Sequence, residues 1–268
     1  MPRGKTYVKN IAFPLLFCYS KTVNVTLISI LNARDKRQRR SLVSGKDLFM
    51  VTYESLRANK TVNTYIESAD ATMAAMGYTD HGYAHVMKAA ETAAMILTAL
   101  GYDERTVELA RIAGYLHDIG NLVNRVNHAE TGALIAFRIL NELGMDAAEI
   151  ATVVTAIGNH DEGTGVPVNA VSAALILADK TDVRRSRVRN RDIAAFDIHD
   201  RVNYSVEGSL LTLSGDNSEI TLRLTIDTTI SSVMDYFEIF LTRMVMSRKA
   251  AEKLGIRFRL VINDQQVL

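Results

Sequence analysis

From Tyr53 to about Asp192 the apolar residues recur at helical spacing, and the chain reads as a succession of helices joined by short connections. Thr52–Met76 is one such stretch and stops at Gly77, a residue suited to a helix C-cap. Asp80 can cap the next helix, whose Val86, Ala89, Ala90, Ala93, Ala94, Ile96 and Leu97 form a broad apolar face up to Gly101. Asp103–Ile119 follows, with Val107, Ala110, Ile112, Ala113 and Leu116 inward and Gly120 as terminator. Ala129–Leu143 and Ala147–Ile157 make a pair separated by Gly144, and Asn169–Arg189 is the last long helix of the block. The many alanines favour close helix packing.

After His199 the period changes. Tyr204–Leu213 and Glu219–Ile226 alternate around Gly215-Asp216-Asn217, a hairpin signal. Ser231–Leu254 returns to helical spacing through Val233, Phe237, Phe240, Leu241 and Met244, and Ile256–Ile262 alternates again as a strand. The pattern predicts a mainly α protein: a helical bundle over residues 50–198 with a small C-terminal α+β (β-β-α-β) appendage over residues 199–268.

Composition sharpens one boundary. Residues 1–49 hold 10 Lys/Arg and 2 Asp/Glu, net +8; with 31 and 30 in the whole chain, residues 50–268 hold 21 against 28, net −7. The apolar runs Ile11–Tyr19 and Val23–Leu31 are separated by Lys21 and are too short to span a bilayer, and no cleavage site of a signal peptide is evident. Residues 1–49 therefore read as a basic extension, poorly ordered or upstream of a working start at Met50. The single cysteine, Cys18, rules out an internal disulfide and suits a reducing cytoplasm. A net charge of +1 predicts no preference for nucleic acid or membrane.

The histidines carry the chemistry. Five of the six lie between residues 81 and 160, and His117-Asp118 and His160-Asp161 pair an imidazole with a carboxylate. Imidazole and carboxylate together suit divalent cations, and a carboxylate at the depth of an apolar helix is costly unless it is paired or metal-bound. A core histidine held by a hydrogen bond is the bland alternative for any one of them.

His85-Val-Met-Lys-Ala, Tyr115-Leu-His117-Asp118-Ile-Gly and Leu177-Ala-Asp179-Lys180, in that order, resemble the HD-domain metal-dependent phosphohydrolases over about residues 78–190. The resemblance implies an all-helical core holding an ion through His85, His117, Asp118 and Asp179. His128 in Asn127-His128-Ala-Glu-Thr-Gly and His160 in Gly158-Asn-His160-Asp161 match the extra histidines of the binuclear subclass, in which Asp118 would bridge two ions. The expected chemistry is hydrolysis of a phosphoester or phosphoanhydride of a nucleotide-type substrate by a metal-activated water. No thiolate is available, so one or two ions of Mn, Fe, Co, Ni or Mg are expected. Asp118 and Lys180 are the expected catalytic groups, and His81, Arg185 and Arg187 the expected substrate contacts. Asn121 and Arg125 fall on a plausible pocket rim, Asp161 and Glu162 support the ligands, and His199 reads as structural.

Two rival functions share the scaffold. The same ligand order resembles di-iron oxygenases, which would consume dioxygen; a degenerate module that only senses a ligand is the other. The partner expected is a small phosphorylated substrate, with neither nucleic acid nor membrane, and a homodimer through a strand edge or the Phe237/Phe240 face is possible.

Overall fold

The computed structural model describes residues 50–268; the basic extension and Cys18 lie outside the described residues. Thr52 and Ser55 exchange hydrogen bonds in a capping box that starts α1 (Tyr53–Arg57). Asn59 then begins a separate helix, α2 (Lys60–Ala75), because its side-chain oxygen accepts from the backbone of Thr61 and Val62. The single helix expected over Thr52–Met76 is thus two. The sequence of long helices continues with α3 (Tyr83–Ala99), α4 (Glu104–Leu116), α5 (His128–Glu142), α6 (Ala147–Gly158) and α7 (Ala170–Lys180).

Asp80 does not cap α3. Gly82 occupies the N-cap position without a side-chain bond, and the Asp80 carboxylate faces Arg189 instead, at 3.4 Å. Nor does α7 run to Arg189. It ends at Lys180, where the Thr181 hydroxyl donates to the Leu177 carbonyl at 2.5 Å and the chain turns into short 3-10 segments, Arg185–Arg187 and Ile193–Ala195. The arginines after Asp179 therefore lie on a connection and not on a helix face.

A short helix absent from the sequence reading, α8 (Ile198–Ser205), is started by Asp197, whose carboxylate accepts from the Asp200 amide. The C-terminal part follows the expected order: β1 (Val206–Leu213), β2 (Glu219–Ile226), α9 (Val233–Lys253) and β3 (Arg257–Ile262), with a two-residue β4 (Gln265–Gln266) added. The strands lie in the order β1-β2-β3-β4, and β2 pairs parallel with β3 while the other two pairs are antiparallel. The chain is thus mainly α with a C-terminal strand appendage. Helices and sheet share one apolar core: α9 packs against both α7 and β3, burying Tyr236, Phe240 and Met244. No described helix is long and apolar enough to cross a membrane.

Two glycines set the distances on which the site depends. A Cβ at Gly114 would lie 2.6 Å from the Ala90 backbone, so only glycine lets α4 approach α3 this closely. A Cβ at Gly120 would lie 1.9 Å from the His128 carbonyl oxygen. Gly120, expected as a helix terminator, sits instead inside a 3-10 turn (Ile119–Leu122) pressed onto the start of α5.

Candidate metal centre

Four histidines converge from four elements. His85 comes from the first turn of α3, His117 from the residue that caps α4, His128 from the first position of α5 and His160 from the connection after α6. All four are buried, as are Asp118 and Asp179. Nε2 of His85 is 3.2 Å from Nε2 of His117, and Nε2 of His128 is 3.2 Å from Nε2 of His160.

The opposite ring nitrogens decide what those contacts are. Nδ1 of His117, His128 and His160 lies 2.8, 3.0 and 2.6 Å from the carbonyl oxygens of Gly114, Arg125 and Ile157. A carbonyl only accepts, so each Nδ1 carries the hydrogen and each neutral ring presents a bare Nε2 lone pair to the centre. His85 is held the same way by Asp182, whose Oδ2 is 2.9 Å from its Nδ1. Two facing lone pairs cannot hydrogen-bond to each other, so each pair of rings calls for a positive charge between them, either a metal ion or a proton that one nitrogen donates to the other. The donor set fits a metal ion on this ground.

The carboxylates complete the arrangement. Asp118 Oδ2 is 3.4 Å from Nε2 of His85 and 3.3 Å from that of His117, while its Oδ1 is 3.6 Å from His128 and 3.9 Å from His160. One oxygen thus faces each histidine pair. Asp179 Oδ1 stands 3.3 Å from His85 and 3.7 Å from His117. The ligand atoms of His85, His117 and Asp179 lie within 4.8 Å of one another, as do those of His117, Asp118 and His160.

Charge in the site follows from these contacts. Burial opposes ionisation of Asp118, but His117 and His85 outweigh it and hold the carboxyl well below the usual range; Lys180, His117 and His85 do the same for Asp179. Burial likewise opposes a charge on His117, yet Asp118 and Asp179 carry its pKa up to about 10. In the absence of a metal a proton on that ring meets the same electrostatic need. His160 and His128 move the other way, pushed down chiefly by burial.

The residues expected to contact substrate or to act in catalysis have the following surroundings. Lys180 is buried, with Nζ 2.8 Å from Asp179 Oδ2 and 2.5 Å from Glu162 Oε2, so it is a fixed cation bracing the Asp179 carboxylate. His81 lines a cavity of about 460 Å³ beside the centre, together with Arg187 and Arg125. Its ring is held by the Thr79 carbonyl at 2.6 Å, and burial, aided by Arg187, keeps its pKa well below the usual value. Arg187 spends Nε and Nη1 on the backbone oxygens of Asp80 and Asp182. Arg185 does not join the group: it donates to the Tyr204 carbonyl at 2.6 Å and lies over the Tyr204 ring, because the chain has left the helix before reaching it. His199 lines the cavity but is mostly exposed and touches no member of the centre.

Two contributors, Asp182 and Arg243, lay beyond the sequence reading, and Asn121 has a different place from the one expected. Asp182, fully buried, bonds His85, Lys88 and Arg184; its spacing of three from Asp179 is the signal that could have found it. Asn121, placed on the rim by its sequence position, instead donates from Nδ2 to Asp118 Oδ1 at 3.0 Å. Arg243 of α9 donates from Nε to Glu162 at 2.9 Å and lies over Phe240. It sits among the buried positions Tyr236, Phe240, Met244 and Ser247, where an arginine needs a partner.

One family match falls on this region. The HD domain family model matches residues 82–201. An uncharacterized protein of Methanocaldococcus jannaschii is 30% identical over 160 residues, 51% of this chain and 61% of that protein, so the match spans less than two thirds of the relative. The crystal structure of a predicted HD superfamily hydrolase from an uncultured Thermotogales bacterium is 26% identical, covers 47% of this chain and 68% of that one, and superposes with a TM-score of 0.37.

Proposed function

Because the chain belongs to the HD-domain superfamily, we propose that it is a metal-dependent hydrolase that cleaves a phosphoester or phosphoanhydride of a small, nucleotide-type substrate. The observation that carries this reading is the set of four Nε2 lone pairs in two facing pairs, with one Asp118 oxygen turned to each. His85, His117 and Asp179 would hold one divalent ion, His128 and His160 a second, and Asp118 both. Mn, Fe, Co, Ni and Mg suit these nitrogen and oxygen donors. What bound cations supply is Lewis acidity toward water and toward the phosphoryl oxygens.

The rest falls to the protein. Asp182 and the backbone carbonyls fix the ring orientations, and Asn121 fixes Asp118. Arg125, 3.9 Å from Asp118 Oδ1, places a guanidinium where a phosphoryl group would meet the centre. Neutral His81, with Nδ1 tied to Thr79, has no partner for Nε2 among the described residues and can accept a proton at the cavity.

The test is metal analysis of protein purified without chelator, followed by assay with p-nitrophenyl phosphate and bis(p-nitrophenyl) phosphate. About two ions per chain and release of nitrophenol are expected, with both lost in Asp118→Ala. Failure to bind any of these five divalent ions, or dioxygen consumption without phosphate-ester cleavage, overturns the proposal.

A further inference from the structure

The cavity beside the centre is lined by two chemical kinds of side chain, and α8 and α9 contribute to both. On one side Arg125 reaches toward Asp118 and Arg243 is linked through Glu162 and Lys180 to Asp179. Arg243 uses only Nε in this linkage; its two terminal nitrogens make no hydrogen bond among the described residues, and the side chain lines the cavity. On the other side α8 presents Asp200 and Asn203, one turn apart and only 8% and 6% exposed. Among the described residues, Asp200 has no cationic partner and receives a single long bond, 3.5 Å from Asn190 Nδ2. Asn203 spends its amide nitrogen on the His199 carbonyl at 2.9 Å, which leaves its oxygen without a donor.

Two acceptors that line a cavity with no protein donor, or only a long one, offer places for the donors of a ligand. Hydroxyl groups on neighbouring carbons are such donors, and the spacing of one helical turn suits a pair of them. The arginine side meanwhile suits an anion. Burial, with Asp197 next, raises the Asp200 pKa, as expected of a carboxylate that lacks a donor.

We infer that the cavity binds the phosphate monoester of a polyhydroxylated alcohol, with Arg125 and Arg243 on the phosphoryl group and Asp200 and Asn203 accepting from the hydroxyls. The inference rests on the proposed hydrolase reading for its orientation, with the phosphoryl group set toward Arg125, which lies 3.9 Å from Asp118. It makes the C-terminal part of the chain a determinant of specificity as well as of stability. A volume of about 460 Å³ admits either a pentose phosphate or a nucleotide.

Calorimetric titration of the metal-loaded protein with non-hydrolysable phosphonates tests the assignment. The probes are benzylphosphonate, the methylenephosphonate analogue of ribose 5-phosphate and that of adenosine 5′-phosphate. The ribose probe is expected to bind at least about tenfold more tightly than the benzyl probe, the difference typical of charge-assisted hydrogen bonds. Asp200→Asn should remove most of that preference while leaving benzylphosphonate affinity in place. Arg243→Gln should weaken both probes alike by about tenfold, with partial recovery in Arg243→Lys. Further tightening by the adenosine probe identifies a nucleotide as the source of the hydroxyls, and equal affinity identifies a sugar phosphate; both support the inference.

Equal or tighter binding of benzylphosphonate, or a ribose preference that survives Asp200→Asn in a protein of unchanged melting temperature, overturns it. Aryl phosphate hydrolysis reports on the hydrolase reading separately. Turnover without a ribose preference leaves the hydrolase reading standing alone, and a ribose preference without turnover leaves the cavity assignment standing alone.

Discussion

Nδ1 of His85 lies 2.9 Å from Oδ2 of Asp182, 97 residues further along the chain, and both side chains are sealed from solvent. The carboxylate fixes the ring so that Nε2 faces His117 and the two aspartates. Asp182→Asn keeps the shape and removes the charge. Metal affinity should fall about 10–100-fold, the usual effect of losing such a support, and titration with Mn followed by chelator competition measures it. Unchanged affinity would show that backbone packing alone sets the ring.

The two oxygens of Asp118 predict divided metal loss. His128→Ala should leave about one ion per chain, held by His85, His117, Asp118 and Asp179, whereas Asp118→Ala should deplete both sites. Elemental analysis of the two variants decides it, and an unchanged stoichiometry in His128→Ala refutes the bridging arrangement.

Acid sensitivity should trace to Glu162. Burial opposes its charge, but Lys180 and Arg243 carry its pKa from 4.5 down to about 2. The folded pKa is depressed, so the stabilisation is fully present above about pH 4.5 and is lost as pH falls toward about 2, a contribution on the order of 3 kcal/mol. Urea unfolding midpoints of metal-free wild type and Glu162→Gln should differ most at neutral pH and converge over that window. Parallel curves down to pH 2 would mean that the pair adds nothing net.

Gly120→Ala is expected to be among the most damaging single-methyl additions, because its Cβ would meet the His128 carbonyl oxygen, a backbone atom that cannot swing aside. A loss of about 3 kcal/mol or more follows from overpacking of this kind. The melting temperature should drop, and metal content should drop with it, because the displaced turn carries Asp118. Gly144→Ala serves as contrast: no atom lies within 4 Å of its Cβ, and its cost comes only from a φ of +78°.

The helical block and the C-terminal strand order were legible because their apolar spacing is local. Val86 to Leu97 and Phe258 to Ile262 state their period within a few residues. Boundaries set by side-chain bonds were less visible. The Asn59 cap splits one expected helix, and Thr181 ends α7 where the apolar pattern alone runs on toward Arg189. The six proposed ligands could be named in advance because their motifs resemble those of the HD-domain phosphohydrolases, and the structure brings all six together. Arg185 was misplaced for the same reason as the helix end, since its expected direction assumed a helix that has already stopped. Asp182 and Arg243 stayed hidden because their roles depend on partners far away in the chain.

The parallel pairing of β2 with β3 reaches further than the sheet itself. Parallel neighbours cannot be joined by a tight turn, so the backbone must run back along the strands before pairing again. That return journey is α9, and the groove wall bearing Phe240 and Arg243 travels with it. Strand direction and the cavity wall are therefore tied together: the β1–β2 turn is anchored through Asn217 to the Ala99 carbonyl, and any change in the length of the crossover would shift the Arg243 guanidinium at the cavity.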